Sequence, residues 1–177
     1  MEKFELYRID LKNLAPGTHE YEYLLEDGFF MDVDGNEVHK GHVKVHLCLK
    51  KTSMMFELNF QIEGTVIVPC DLCLDDVEIP IETQNKLIVK FGKEYAEESD
   101  ELVVVPEEDG VINIAWFMYE FVALAIPMKH VHASGQCNQA MADKLKQHTA
   151  KSYDEADDEA TDPRWDALKG IFENDNN

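Results

Sequence analysis

Strict two-residue alternation over the middle of the chain constrains the fold more than any other feature. Val43, Val45, Leu47 and Leu49 share one side of an extended segment, and His42, Lys44, His46 and Cys48 share the other. Phe56, Leu58, Phe60 and Ile62 repeat the pattern against Glu57, Asn59 and Gln61, and Thr65–Val68, then Val77, Ile79 and Ile81, then Leu87, Val89 and Phe91 continue it. A period of two places alternate side chains on opposite faces of a strand, so each segment reads as half-buried β-structure. Thr18–Leu25 alternates in the same way, and residues 4–11 read as a strand with a bulge. Short runs of this kind joined by turns imply a meander of antiparallel strands. Asp32–Glu37 has the composition of a calcium loop but neither its ligand spacing nor its terminal glutamate, and reads as a polar turn.

The pattern changes after residue 92. Lys93–Asp109 is acidic, broken by Leu102–Val105, which reads as a short edge strand. Asn113 is a candidate N-cap for a helix over 113–126, which Pro127 would stop. That helix carries Ile114, Trp116, Phe117, Met118, Phe121, Val122, Leu124 and Ala125, apolar over most of its surface, so it should be buried against the sheet. Met141 and Leu145 suggest one more short helix. Residues 149–161 form an acidic linker, and Asp162-Pro163 starts a helix over 162–173 with Trp165, Leu168 and Phe172 on one stripe. The expected fold class is therefore α+β: a mainly antiparallel sheet domain over 1–148 covered by a buried helix, and a C-terminal helix on an acidic linker.

Charge narrows the partners. Thirty-six acidic residues face 16 basic ones, for a net charge of −20, and Arg8 and Arg164 are the two arginines. Neutralising a phosphate backbone takes clustered lysine and arginine, so a broad nucleic-acid surface is disfavoured and a basic partner is favoured. No apolar run is long enough to span a bilayer, the N-terminus lacks an export signal, and the expected setting is cytoplasmic. Phosphate-binding glycine loops, nucleophile elbows and metalloprotease histidine pairs are missing from the sequence, which argues against an enzyme.

Cys70-Asp71-Leu72-Cys73 places two thiols on either side of a hairpin tip, half of a zinc coordination shell. His132 and Cys137, in the stretch after Pro127, would complete a set of three sulfurs and one nitrogen, with His130 in reserve. Three chemistries are open to the pair: structural zinc, reduced thiols left from an eroded site, and a dithiol redox centre. The last is weakest, because no helix follows whose N-terminus would lower a thiol pKa. His46 and Cys48 also share a strand face, but read as its exposed side.

Four stretches in order carry a resemblance: Gly17–Tyr21, Cys70–Leu74, Glu120–Lys129, and Asp162–Trp165 with Leu168. On these the chain resembles the YceD family, the large ribosomal RNA subunit accumulation proteins. The resemblance implies a non-enzymatic ribosome-biogenesis factor needed for large-subunit rRNA to accumulate. Genes of that family commonly sit beside that of a small large-subunit ribosomal protein, which points to a protein partner. Family members often carry a cysteine soon after the helix-ending proline and further cysteines beyond; here His132 stands first, Cys137 follows and the later ones are missing. Metal binding is thus argued from the residues themselves. The expected partner is a basic ribosomal protein or a large-subunit precursor, bound in part through Asp162, Arg164, Trp165, Leu168 and Phe172, with direct RNA contact left open. Self-packing of that last helix is the competing reading of its stripe. The alternative functions are an RNA-processing enzyme and a zinc-free thiol redox protein.

Overall fold

The alternation between residues 40 and 92 folds as antiparallel strands, in longer pieces than its polar interruptions suggested. The computed structural model describes residues 4–53 and 55–149. A single 3-10 turn (Glu5–Tyr7) leads into β1 (Arg8–Asp10), followed by β2 (Gly17–Leu25), α1 (Asp27–Val33), β3 (Lys40–Lys51), β4 (Phe56–Pro69), β5 (Asp76–Gly92), β6 (Ala96–Ser99), β7 (Leu102–Pro106), β8 (Val111–Asn113), α2 (Ala115–Leu124) and α3 (Gln139–His148). Residues 4–11 are therefore a turn and a three-residue strand rather than one bulged strand, with Leu6 left exposed and Ile9 and Leu11 buried. The contacts divide the chain into two units, residues 1–142 and 143–177. The first holds every strand, α1 and α2. The expected helix over 162–173, and the linker beyond Thr149, lie outside the described residues, as do Asp162, Arg164, Trp165, Leu168 and Phe172.

Strand order in the main sheet is β2-β3-β4-β5-β7-β6, and β1 pairs with β8 in a separate ribbon. The first four strands form the expected meander, and the class is α+β. Two polar interruptions fail to break their strands. Glu63–Thr65 runs straight through β4, and Glu82–Lys86 straight through β5, because the same parity of residue stays inward on both sides of each. Gly64 is needed where β4 pairs with β3, opposite Val43. Its φ is +157°, and a Cβ there would lie 2.6 Å from the Val43 Cα. Pro80, without an N–H, falls in the part of β5 that β7 does not reach.

Leu102–Val105 does not form the sheet edge. It pairs parallel to β5, from Ile88↔Leu102 to Gly92↔Pro106, with β6 antiparallel outside it. An unbroken apolar run suits an interior strand covered on both faces, and Val103, Val104 and Val105 are all buried.

One face of the sheet carries the core. Leu47, Leu49, Leu58, Phe60, Ile62 and Leu87 are almost wholly buried, together with Phe30 from α1 and Met118 and Val122 from α2. Phe121 meets Phe60 edge-on, ring centroids 5.2 Å apart. Where a helix over 113–126 was expected, α2 runs from Ala115 to Leu124, starting two residues later and ending two earlier; its N-cap position is Ile114 and not Asn113, although the Asn113 side chain accepts from the Ala115 N–H at 3.0 Å. Burial is less complete than its composition suggested, since Trp116 and Leu124 lie at the surface. In place of a simple polar turn, Asp32 and Val33 close α1, whose Phe29 and Phe30 are buried, and Asp34 ends it in the left-handed conformation. Gly35 lies against the Tyr119 ring, where a Cβ would overlap it, and the Tyr119 hydroxyl oxygen accepts from the backbone N–H groups of Glu37 and Val38 at 3.0 and 3.3 Å. His46 and Cys48 stay on the opposite sheet face, His46 with a carboxylate oxygen of Glu20 at 4.0 Å.

Candidate metal centre

The tip between β4 and β5 is a tight turn. Cys70 N–H donates to the Asp75 carbonyl at 2.8 Å, and Leu74 N–H to the Cys70 carbonyl at 2.9 Å. Leu74 takes a left-handed φ of +64°, a conformation costing a non-glycine residue on the order of 1 kcal/mol. This turn brings both cysteine side chains to the same side, and both are buried. Leu72 N–H points at the Cys70 sulfur, 3.4 Å away.

The second group arrives from the far end of α2. After Leu124 the backbone tightens, with Ala125 and Ile126 donating three residues back, and Pro127 prevents continuation. The chain then clips onto the tip: Asp71 N–H donates to the His130 carbonyl at 3.0 Å, and His130 N–H donates to Asp71 Oδ2 at 2.8 Å. Both His130 ring nitrogens are engaged elsewhere. Nδ1 lies 3.2 Å from the Pro127 carbonyl, and Nε2 lies 3.2 Å from Asp71 Oδ1. His130 is therefore a clip and not a reserve ligand. A turn closed by Gln136 N–H on the Ala133 carbonyl, with Gly135 at φ +85°, returns the chain toward the tip. Asn138 then caps α3, its Oδ1 accepting from Ala140 N–H at 3.1 Å, while its Nδ2 donates to Asp75 at 3.2 Å.

The result brings Cys70, Cys73, His132 and Cys137 together, with one donor atom from each all within 4.8 Å of one another. Among the described residues no other group of histidine, cysteine and carboxylate has this arrangement. The Cys70 and Cys137 sulfurs are 3.9 Å apart, and His132 Nδ1 lies 3.4 Å from the Cys73 sulfur and 4.0 Å from that of Cys137. A tetrahedral zinc about 2.3 Å from each sulfur and about 2.0 Å from the nitrogen needs edges of about 3.5–3.8 Å. The donors fit such an ion after small inward shifts. His132 adds a second indication. Its Nε2 donates to the Asp76 carbonyl at 3.1 Å, which puts the proton on Nε2 and turns the Nδ1 lone pair toward the sulfurs.

The electrostatics suit a cation. Burial alone would raise the Cys70 thiol, but N–H groups of His132, Leu72 and Cys73 outweigh it and pull the thiol down to about 6. Cys137 goes the other way, to about 11, through burial and then through its two neighbouring sulfurs. His132 is raised, first by its hydrogen bond with Cys70. Successive thiolates in one pocket repel each other, and a bound divalent ion would relieve that repulsion.

The spacing in the sequence thus leads to the four donors. It gave no sign of Asp71, Asp75, Asn138 or the Asp76 carbonyl, because a carboxylate between two cysteines or an Asn before a helix is commonplace.

Comparison with known proteins places the chain. The family model described as "Large ribosomal RNA subunit accumulation protein YceD" matches residues 58–172. This stretch covers β4 from Leu58 onward, β5, the four candidate donors, α2 and the C-terminal segment. A Bacillus subtilis (strain 168) protein named "Uncharacterized protein YlbN" is 29% identical over 133 residues, covering 75% of this chain and 74% of that one. No solved structure matches the chain. With the matched region spanning both donor groups and most of the sequence, the chain belongs to the YceD family.

Proposed function

We propose that this chain is a non-enzymatic factor in the accumulation of large-subunit ribosomal RNA, working in the cytoplasm by holding a basic ribosomal protein or a basic surface of a large-subunit precursor. The observation that carries the reading is family membership combined with a net charge of −20 and two arginines. A direct RNA binder with that balance would work against its own field, whereas an acidic protein that shields a lysine-rich partner would work with it. Asp162, Arg164, Trp165, Leu168 and Phe172 are assigned to the partner contact, with the apolar stripe giving affinity that salt does not screen.

Cys70, Cys73, His132 and Cys137 are assigned to one structural zinc. Four protein donors leave no open position for water or substrate, so the ion would serve as a cross-link. It would join the β4–β5 tip to the segment that follows α2.

The test is fractionation of growing cells on a sucrose gradient, with the untagged chain followed by antibody. The chain should migrate with large-subunit precursors, and its depletion should lower large-subunit rRNA relative to small-subunit rRNA. Binding of the purified chain to its protein partner should weaken as salt rises, with Trp165→Ala weakening it at every salt concentration. Tight binding to naked rRNA with no protein partner would overturn this reading.

A further inference from the structure

A groove runs between α2 and the β6–β7 hairpin, with a volume of about 520 Å³. Phe121 and Phe117 line its apolar part, and Leu124 stands at its mouth, 81% exposed. Glu97, Asp100 and Glu120 line the same groove. A second depression of about 510 Å³ shares Asp100, Phe121 and Leu124 and adds Glu101 together with Lys86. Two of these carboxylates are aimed by neighbouring aromatics. Trp116 Nε1–H donates to Glu120 at 2.6 Å, and the Tyr95 hydroxyl donates to Glu97 at 2.6 Å. Trp116 and Tyr95 are themselves about half exposed. Among the described residues no lysine or arginine pairs with Glu97, Asp100, Glu101 or Glu120; Lys90 is held by Glu98 at 2.7 Å and Lys86 by Glu57 at 3.1 Å.

An exposed leucine beside a half-buried phenylalanine, ringed by unneutralised carboxylates, is complementary to an apolar side chain flanked by cations. Charge decides between occupants. Residues 151–177 of this chain carry nine carboxylates against three cations, so the acidic rim repels them. A second copy would set the same rim against itself at a net charge of −20 per chain. We propose that this groove docks a lysine- or arginine-flanked apolar segment of a protein partner, anchored on Leu124 and the half-buried Phe117 and steered by Glu97, Asp100 and Glu120. This deepens, and rests on, the reading of the chain as a binder of basic protein.

The test is a fluorescence-polarisation titration of the full chain with a short labelled amphipathic peptide of leucine and lysine. Two control peptides replace every leucine with serine or every lysine with glutamate. The leucine–lysine peptide should bind, the serine peptide should bind only at low salt, and the glutamate peptide should not bind. Leu124→Ser should weaken binding about tenfold or more at all salt concentrations. Glu97→Gln with Asp100→Asn should weaken it at low salt and lose its effect near about 0.5 M. Leu24→Ser, on the opposite sheet face, should change nothing. Equal affinity for wild type and Leu124→Ser would refute the groove. A rise in affinity on Trp165→Ala would show that the chain's own C-terminal segment is the occupant, and a dimer that Leu124→Ser converts to monomer would show a second copy; either overturns the proposal. Silent groove variants alongside a loss on Trp165→Ala would refute the groove while leaving the binder reading intact. Failure of the binder reading itself would appear separately, in the gradient.

Discussion

Asp71→Ala tests whether the polypeptide prepares the metal site or merely tolerates it. Asp71 is not a donor to the site, but its Oδ2 accepts the His130 N–H at 2.8 Å and so fixes where the His132 loop begins. A backbone hydrogen bond to a carboxylate contributes about 1.5–3 kcal/mol when shielded. Asp71 is 38% exposed, so solvent reduces this to about 1 kcal/mol, or about a fivefold loss in zinc affinity. His130→Ala gives the internal control. It removes the imidazole but keeps both bonds that the residue-130 main chain makes, its carbonyl with the Asp71 N–H and its N–H with the Asp71 carboxylate, so affinity should fall by about twofold or less. Asp71→Asn retains an oxygen for the His130 N–H and should recover most of the loss. The assay is competition for zinc against a chromogenic chelator, with all four proteins in parallel. An Asp71→Ala affinity equal to wild type, or a larger loss for His130→Ala, would refute the idea that this clip preorganises the donors.

Two further predictions concern the fold that carries the site. Tyr119→Phe orphans the N–H groups of Glu37 and Val38, the latter buried, and should cost about 1–3 kcal/mol. That corresponds to about 2–4 °C in Tm per kcal/mol for a chain of this size, with faster amide exchange at residues 37 and 38; unchanged exchange there would contradict it. Gly64→Ala forces a Cβ against the backbone of β3 and should cost more than about 2 kcal/mol in urea denaturation, so a change below about 0.5 kcal/mol would show that the β3–β4 pairing relaxes freely.

Much of this architecture was legible because alternation is a direct imprint of a sheet with one buried face. The strand segments, the Cys70–Cys73 hairpin tip and the helix after Asn113 all follow from periodicity and punctuation. Strand length was less legible, since Glu82–Lys86 looks like a loop until the parity of Ile81 and Leu87 is compared across it. The short α1 escaped notice because it buries only Phe29 and Phe30 and has no side-chain cap. The interior position of β7 depends on the chain passing outward through β6 first, and nothing local to Leu102–Val105 records that path. Trp116 and Leu124 illustrate a different failure: a helix apolar on every side does not declare which residues will face outward. At the candidate metal centre the four side-chain types were readable. Their meeting point, and the pairing of Asp71 with residue 130 that creates it, required the fold.

Cys70, Cys73, His132 and Cys137 are proposed to hold a zinc ion that ties the β4–β5 tip to the segment after α2. Metal analysis of the full chain, purified without a histidine tag, combined with thiol titration before and after chelation, tests it most directly. A single zinc per chain is expected, with Cys48 reacting at once and the other three thiols reacting only after chelation. Zinc well below stoichiometric, with the three clustered thiols reacting freely at the outset, would contradict it.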